Sequence, residues 1–174
     1  MQGIILKGYI CKTDVPSRPI LYKNGYGKAY REIIQSGAFR RALKSSIPSL
    51  TLNHKDIITG SSKLSLIEDN IGLRFRAEVN DPNVIQLAKD GKLTGCSFTF
   101  KPMRESKSIR NGEDIRTIHE LYLYEVSVLT DRKPVHGSIV EIEDVNYSPY
   151  KINPRKENVH YQHRLYKMEL DRLT

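Results

Sequence analysis

The chain has 174 residues, the length of one domain with a short appendage, and its hydrophobic fraction of 39% and charged fraction of 28% are typical of a globular protein. Its net charge is +8, and residues 141–174 hold six Lys/Arg and six Asp/Glu, so the excess belongs to residues 1–140. There is no tryptophan, no aromatic RNA-binding motif and no helix-turn-helix pattern, so nucleic acid is not expected as a partner. No apolar run approaches the roughly 18 residues that span a bilayer, which excludes a membrane helix.

The cysteine pattern argues against both a disulfide and a metal site. Cys11 and Cys96 lie far apart in apolar stretches, which indicates reduced thiols inside the core. No C-x-x-C and no cluster of His and Cys occurs, so we expect no metal and no cofactor.

The first third of the chain mixes strand and helix patterns. Residues 3–11 predict a first strand rather than a signal peptide, because no basic segment precedes the short apolar run. Residues 30–45 have helical spacing, with Ser36 as the candidate cap of a short helix that begins near Ala38. Residues 49–54, "SLTLNH", predict another strand.

The middle of the chain has clearer boundaries. Residues 64–79 alternate on both sides of "EDNIG" and predict a β-hairpin. A helix follows, with Asp81 as its cap, Pro82 in its first turn and Gly91 at its end. A strand comes directly after it, "LTGCSFTFKP", in which Ser97 lies between two apolar residues.

The second half predicts a long hairpin and a tail. Asn111-Gly112 is a strong two-residue turn signal, and the return strand, residues 115–130, is so long that it predicts a bend or bulge. Residues 141–174 read as a linker-like segment and a short amphipathic helix, which leaves residues 1–140 as the main domain. The sum predicts an α+β fold with a strongly bent or barrel-like, mostly antiparallel sheet flanked by a few helices.

Two residues are candidates for chemistry, although each also suits an ordinary structural role. His54 ends an apolar strand just before a polar loop, where functional bases often lie. Ser97 lacks the G-x-S-x-G context, and a serine hydroxyl is a poor nucleophile until a base and an orienting group activate it. The neighbouring Cys96 is rejected as a nucleophile, since its alternation with Phe98 and Phe100 points it into the core.

Together the segments resemble a known family. The peptides "REIIQSGAFRRAL", "LNHKD", "GKLTGCSFTF" and "LYEVSVL" follow the order seen in the prohead (capsid maturation) serine proteases of tailed bacteriophages. The similarity runs from about Gly8 to Ile139 and implies a fold distantly like the herpesvirus assembly protease. It also implies that residues 1–140 are a protease domain.

The resemblance assigns roles to three residues. It implies that Ser97 of "GCSFTF" is the nucleophile, His54 of "LNHKD" the general base and Glu125 of "YEVSV" the third member. The chain departs from the family where Lys55 separates the histidine from an aspartate and where Thr99 replaces a frequent glycine. A third departure is "PVH" in place of the usual P-A-Y.

The hairpin register opposes this triad unless a strand is irregular. With a two-residue turn, Arg110 pairs with Glu113, and Ser97 then faces Val126 while Glu125 points to the opposite side. One bulge in either strand reverses that parity.

The third triad member and the oxyanion donors each have alternatives. His119 is six residues before Glu125, so in a regular strand the two side chains lie on the same face. It is the alternative third member, because the herpesvirus relatives have a second histidine in that role. Backbone N–H groups or an arginine with a bound water are the alternatives for the oxyanion hole, and Arg116 and Arg132 are the arginines considered.

The resemblance also implies partners. We expect a serine endopeptidase inside the assembling prohead, in the host cytoplasm, that processes the major capsid protein with its scaffolding segment and also itself. A homo-oligomer is expected and a membrane is not. The competing hypothesis is a non-catalytic basic scaffolding or nucleic-acid-binding module on the same fold.

Overall fold

The computed structural model describes residues 3–23 and 27–143. In these residues the strands are β1 Ile4–Lys12, β2 Ile20–Leu21, β3 Ala29–Ile34, β4 Ser49–Leu52, β5 Asp56–Thr59, β6 Leu64–Glu68, β7 Gly72–Val79, β8 Gly95–Arg110, β9 Glu113–Leu129 and β10 Ile139–Glu143. The α-helices are α1 Ala38–Ala42 and α2 Pro82–Lys89, and Ser61–Lys63 form a 3-10 turn.

The strands form two sheets. The first has the order β10-β1-β7-β6, and its pairs are all antiparallel, which confirms the predicted β6–β7 hairpin. The second is centred on β9, which pairs antiparallel with β8 along one edge and parallel with β3 and β4 along the other. The α+β class is therefore confirmed, but in the described part of the chain the sheets form no closed barrel. The likeness to the herpesvirus protease stays a prediction.

The helical pattern predicted for residues 30–45 is wrong in its first part. Residues 29–34 form β3, which pairs in parallel with β9, and its last three residues are all buried, so both faces of the strand are covered there. The short helix does begin at Ala38, but Gly37 is its N-cap and no capping bond comes from Ser36. The carboxylate of Glu68 takes that part, accepting the N–H of Gly37 at 2.5 Å and that of Arg40 at 2.6 Å.

Helix α2 begins and ends as predicted. The side chain of Asp81 accepts the N–H groups of Asn83 and Val84, and Pro82 occupies the first turn. Gly91, with φ 66°, closes the helix, and β8 begins four residues later.

One apolar core joins both sheets and both helices. Cys96 and Phe98 contribute to it from β8, and Phe98 meets Phe39 of α1 edge to face at 5.3 Å between ring centroids. Because side chains alternate along a strand, Ser97 and Thr99 are left on the other face.

The β8–β9 hairpin is long and irregular. Asn111 and Gly112 form its turn with φ values of 52° and 78°, as predicted. Its register shifts at three places, where Met103 is the extra residue of β8 and His119 and Tyr124 are the extra residues of β9. Strand β9 therefore holds one more residue than β8 between the turn and Ser97.

Strand β10 runs to Glu143 and pairs with β1, so regular structure continues past the predicted domain boundary at residue 140. The predicted tail beyond it, including its short helix, lies outside the described residues. Both cysteines are buried free thiols. Within residues 3–23 and 27–143, no helix has the length and apolar character needed to cross a membrane.

Candidate active site

The irregular hairpin sets which side chains share a face. At the end of the hairpin far from its turn, Ser97 pairs with Ser127 and Thr99 pairs with Glu125. Directly paired residues project to the same side of a sheet, so these four side chains lie on one face. Ser97 and Glu125 can share a face only if the hairpin contains a bulge. That bulge is present, because β9 holds one more residue than β8 between the turn and Ser97.

His54 reaches this face through a tight turn after β4. Strand β4 runs parallel to β9, with Leu52 opposite Val128, and the chain then turns at Asn53 and His54 with φ values of 52° and 60°. Left-handed conformations are costly for most residues other than glycine, asparagine and aspartate, so His54 in particular must be held in the turn by its contacts. One contact is the N–H of His54, which donates to Oγ of the fully buried Ser127 at 3.0 Å.

Asn53 supplies the rest of the anchoring. Its side-chain amide donates to Oγ1 of Thr130 at 2.8 Å, and its Oδ1 accepts the N–H of Thr130 at 2.9 Å. Its own N–H donates to the carbonyl of Val128 at 2.9 Å. These three bonds join the turn before His54 to the end of β9.

We expect Asn53→Ala to lower the free energy of unfolding by about 2 kcal/mol. The change removes two side-chain hydrogen bonds. It also places alanine, whose side chain cannot form a hydrogen bond to the nearby backbone, in a left-handed conformation. Urea denaturation measures the loss. Asn53→Asp is the control, since aspartate tolerates positive φ and keeps an acceptor for the N–H of Thr130; equal losses in both variants would contradict the anchoring.

The imidazole of His54 contacts Glu125 directly. Nδ1 of His54 lies 2.5 Å from Oε1 of Glu125, with about a quarter of each side chain exposed. An ionised carboxylate only accepts, so Nδ1 carries a proton, and in the neutral imidazole the lone pair that a general base needs is then on Nε2. Oγ1 of Thr99 donates to the same Oε1 at 2.9 Å.

These contacts keep Glu125 ionised. Desolvation acts to raise the pKa of Glu125, but the hydrogen bonds from His54, Thr99 and Thr51 and the attraction to His54 together outweigh it and hold that pKa below its ordinary value. The carboxylate is therefore charged at neutral pH, as the stabiliser of an imidazolium must be.

Ser97 lies on the same face, half-buried, and is not yet joined to His54. In the described part of the chain no hydrogen bond links the Ser97 hydroxyl to the imidazole. Nδ1 of His54 is 3.4 Å from Oγ1 of Thr99, two residues and so roughly 7 Å along β8 from Ser97. Hydrogen bonds of this kind are often long before substrate binds.

The segment after β9 packs against the strand that carries Ser97. Oγ of Ser138 accepts the N–H of Cys96 at 2.9 Å, and a Cβ on Gly95 would lie 2.8 Å from both Pro134 and Ser138, so only glycine fits there. Burial raises the pKa of the Cys96 thiol, which keeps it protonated and unreactive.

Other candidates from the sequence lie away from this cluster. His119 is bonded to Ser106 through Nε2 at 2.7 Å and to Gln35 through Nδ1 at 2.6 Å. The residue that the structure places beside His54 is therefore Glu125.

The two arginines considered as oxyanion donors contact carboxylates. Arg116 pairs with Glu32 at 3.0 Å and with Glu105, and Arg132 pairs with Asp131 at 3.0 Å. Arg116 stands opposite Lys107, ten residues along β8 from Ser97. In residues 3–23 and 27–143, no group of three or more His, Cys, Asp or Glu is arranged to hold a metal ion.

Sequence reasoning missed the supporting residues Asn53, Ser127 and Thr99. Asparagine ahead of the candidate base signals a left-handed turn, and the serine of "VSV" is a polar residue inside an apolar run. The sequence gives no such signal for Thr99, because its partner Glu125 lies on the next strand.

An α+β fold that brings a serine, a histidine and a glutamate to one face, with the histidine bonded to the glutamate, is typical of serine hydrolases. Comparison with known proteins agrees with that class. The family model described as "Caudovirus prohead serine protease" matches residues 1–145, and the chain belongs to this family. Neither the curated proteins nor the solved structures contain a match.

Proposed function

We propose that the chain is a serine endopeptidase in which Ser97 is the nucleophile, His54 the general base and Glu125 the residue that orients His54. The observation that carries the proposal is the 2.5 Å contact between Nδ1 of His54 and Oε1 of Glu125, on the face that also presents Ser97. Family membership supports the reaction class.

The steps of peptide hydrolysis follow from the His54 tautomer that has its proton on Nδ1. Nε2 of His54 takes the proton of Ser97 while Oγ attacks the peptide carbonyl, and it then gives that proton to the leaving amine. Water hydrolyses the acyl-enzyme by the same route, and Glu125 stabilises the imidazolium in both steps. The imidazole must approach Ser97 when substrate binds, since the two are not hydrogen-bonded in the free chain.

The substrates we propose are the major capsid protein with its scaffolding segment, and the chain itself. Membership in a prohead protease family supports a capsid or scaffold substrate and action inside the assembling prohead of the host cell. Assembly of the chain as a homo-oligomer is part of the same proposal.

Labelling with a fluorophosphonate tests the proposal, because this reagent forms a covalent adduct only with a serine activated by a base. We expect one adduct, located by mass spectrometry in the tryptic peptide of residues 93–104, and shortening of the co-expressed capsid protein of the same phage. His54→Asn is the matched control, because asparagine tolerates the positive φ there but cannot act as the base. An adduct that forms equally in this variant, or a capsid protein that stays intact, would refute the proposal.

A further inference from the structure

A third side chain contacts the His54–Glu125 pair. Oγ1 of Thr99 donates to Oε1 of Glu125 at 2.9 Å and lies 3.4 Å from Nδ1 of His54. The oxygen that it contacts is the one that accepts from the imidazole. The three side chains therefore meet at one carboxylate oxygen.

We propose that Thr99 is a positioning residue of the active site, whose hydroxyl fixes the Glu125 carboxylate that in turn orients His54. The inference rests on the proposed protease function. It assigns a role to Thr99, a residue to which the sequence alone gave no function.

The strand geometry makes the contact specific. Thr99 and Glu125 are directly opposed in the β8–β9 ladder, and the bulge at Tyr124 follows at once, so the pairing exists only in this register. A β-branched side chain has a restricted χ1, which limits where Oγ1 points. The hydroxyl has a single proton, and the geometry gives it to Glu125.

Thr99 is one of three side chains, with His54 and Thr51, whose hydrogen bonds stabilise the Glu125 carboxylate. His54 faces Glu125 from the turn, while Lys55 and Asp56 follow it in the chain, and Lys101 follows Thr99 on β8. Desolvation disfavours the charged form of Glu125, whereas the hydrogen bonds from His54, Thr99 and Thr51 and the attraction to His54 lower its pKa. Loss of the hydroxyl therefore weakens the carboxylate without touching Ser97.

The test compares Thr99→Val and Thr99→Gly, which lack the hydroxyl, with Thr99→Ser, which keeps it. Steady-state cleavage of a capsid-derived peptide should show a kcat roughly threefold to tenfold lower in the first two variants, with KM unchanged, and a near wild-type kcat in the serine variant. Ser108→Val is the matched control, an exposed hydroxyl replaced on the distal part of the same strand.

A second readout needs no cleavage. Titration of the Glu125 carboxyl by carbon-13 NMR should give a higher pKa in Thr99→Val and Thr99→Gly than in wild type, and an unchanged value in Thr99→Ser. Equal kcat and equal carboxyl pKa in the valine and serine variants would overturn the role of Thr99, as would a change confined to KM. Failure of the protease proposal looks different, because the wild-type chain would then cleave no better than Ser97→Ala.

Thr99 is exposed, so all three variants should fold. Circular dichroism and thermal unfolding check this before the kinetics are compared. Should valine perturb the strand, the glycine and serine variants decide the question, because serine keeps the hydroxyl and glycine has no side chain at this position.

Discussion

Ser97→Ala is expected to abolish processing of the co-expressed capsid protein, with kcat lower by roughly 10⁶-fold in a peptide assay. The variant keeps the imidazole and the carboxylate but has no oxygen to attack the peptide carbonyl. Loss of the nucleophile of a serine protease costs about as much as loss of the whole triad, because its members act as a unit.

Ser97→Ala should affect the reaction and leave the stability of the fold almost unchanged. In the described part of the chain the Ser97 hydroxyl donates no hydrogen bond, and the residue is half-buried, so its removal should change the free energy of unfolding by only about 0.5 kcal/mol. Ser108→Ala, on the exposed far part of β8, is the matched control and should process normally. Wild-type processing by Ser97→Ala would end the protease assignment.

Local signals in the sequence predicted local structure well. The boundaries of α2 follow from Asp81, Pro82 and Gly91, and the hairpin turn follows from Asn111-Gly112. In each case the residue that specifies the feature also forms it, through a capping bond or a positive φ, so no distant contact is needed.

Strand β3 shows where that approach fails. Glu32, Ile33 and Ile34 are buried in succession because both faces of β3 are covered there, with Ile34 in the core and Glu32 against Arg116 and His136, far away in sequence. Consecutive burial removes the alternation that identifies a strand, and the apolar pair then resembles one face of a helix.

The need for a bulge in the hairpin could be predicted, but the positions of the bulges could not. The expected site required a bulge in either strand or a different turn, and the structure has one extra residue in β8 and two in β9, a net excess of one in β9. Its bulged residues, Met103, His119 and Tyr124, carry no local signature such as a glycine. Packing of β3 and β4 against β9 has no counterpart in the local sequence, so the positions could not be read from it.

The candidate site was predictable only in its main members. Resemblance named Ser97, His54 and Glu125, and the structure brings the last two into contact. The roles of Asn53 and Thr99 depend on partners more than 20 residues away, at Thr130 and Glu125. No spacing pattern reports such contacts.

Glu125→Gln is expected to lower kcat by roughly 10³- to 10⁴-fold while the fold persists. Glutamine has nearly the same shape, and Thr99 can still donate to its oxygen, but the neutral amide no longer stabilises the imidazolium of His54. Its NH₂ group can also face Nδ1, which then becomes an acceptor and leaves Nε2 protonated, the wrong tautomer for a base.

The matched control is Glu120→Gln, which removes a carboxylate from the same strand where it forms an exposed ion pair with Arg104 at 3.0 Å. Such pairs contribute little, so its kcat should equal that of wild type. Stability gives a second check, because the folded-state pKa of Glu125 lies below the ordinary value of 4.5. The charged form therefore stabilises the fold above that value, and the contribution is lost as the pH falls through the folded-state pKa. The difference in unfolding free energy between wild type and Glu125→Gln should thus shrink below pH 4.5; a kcat equal to that of Glu120→Gln would remove Glu125 from the mechanism.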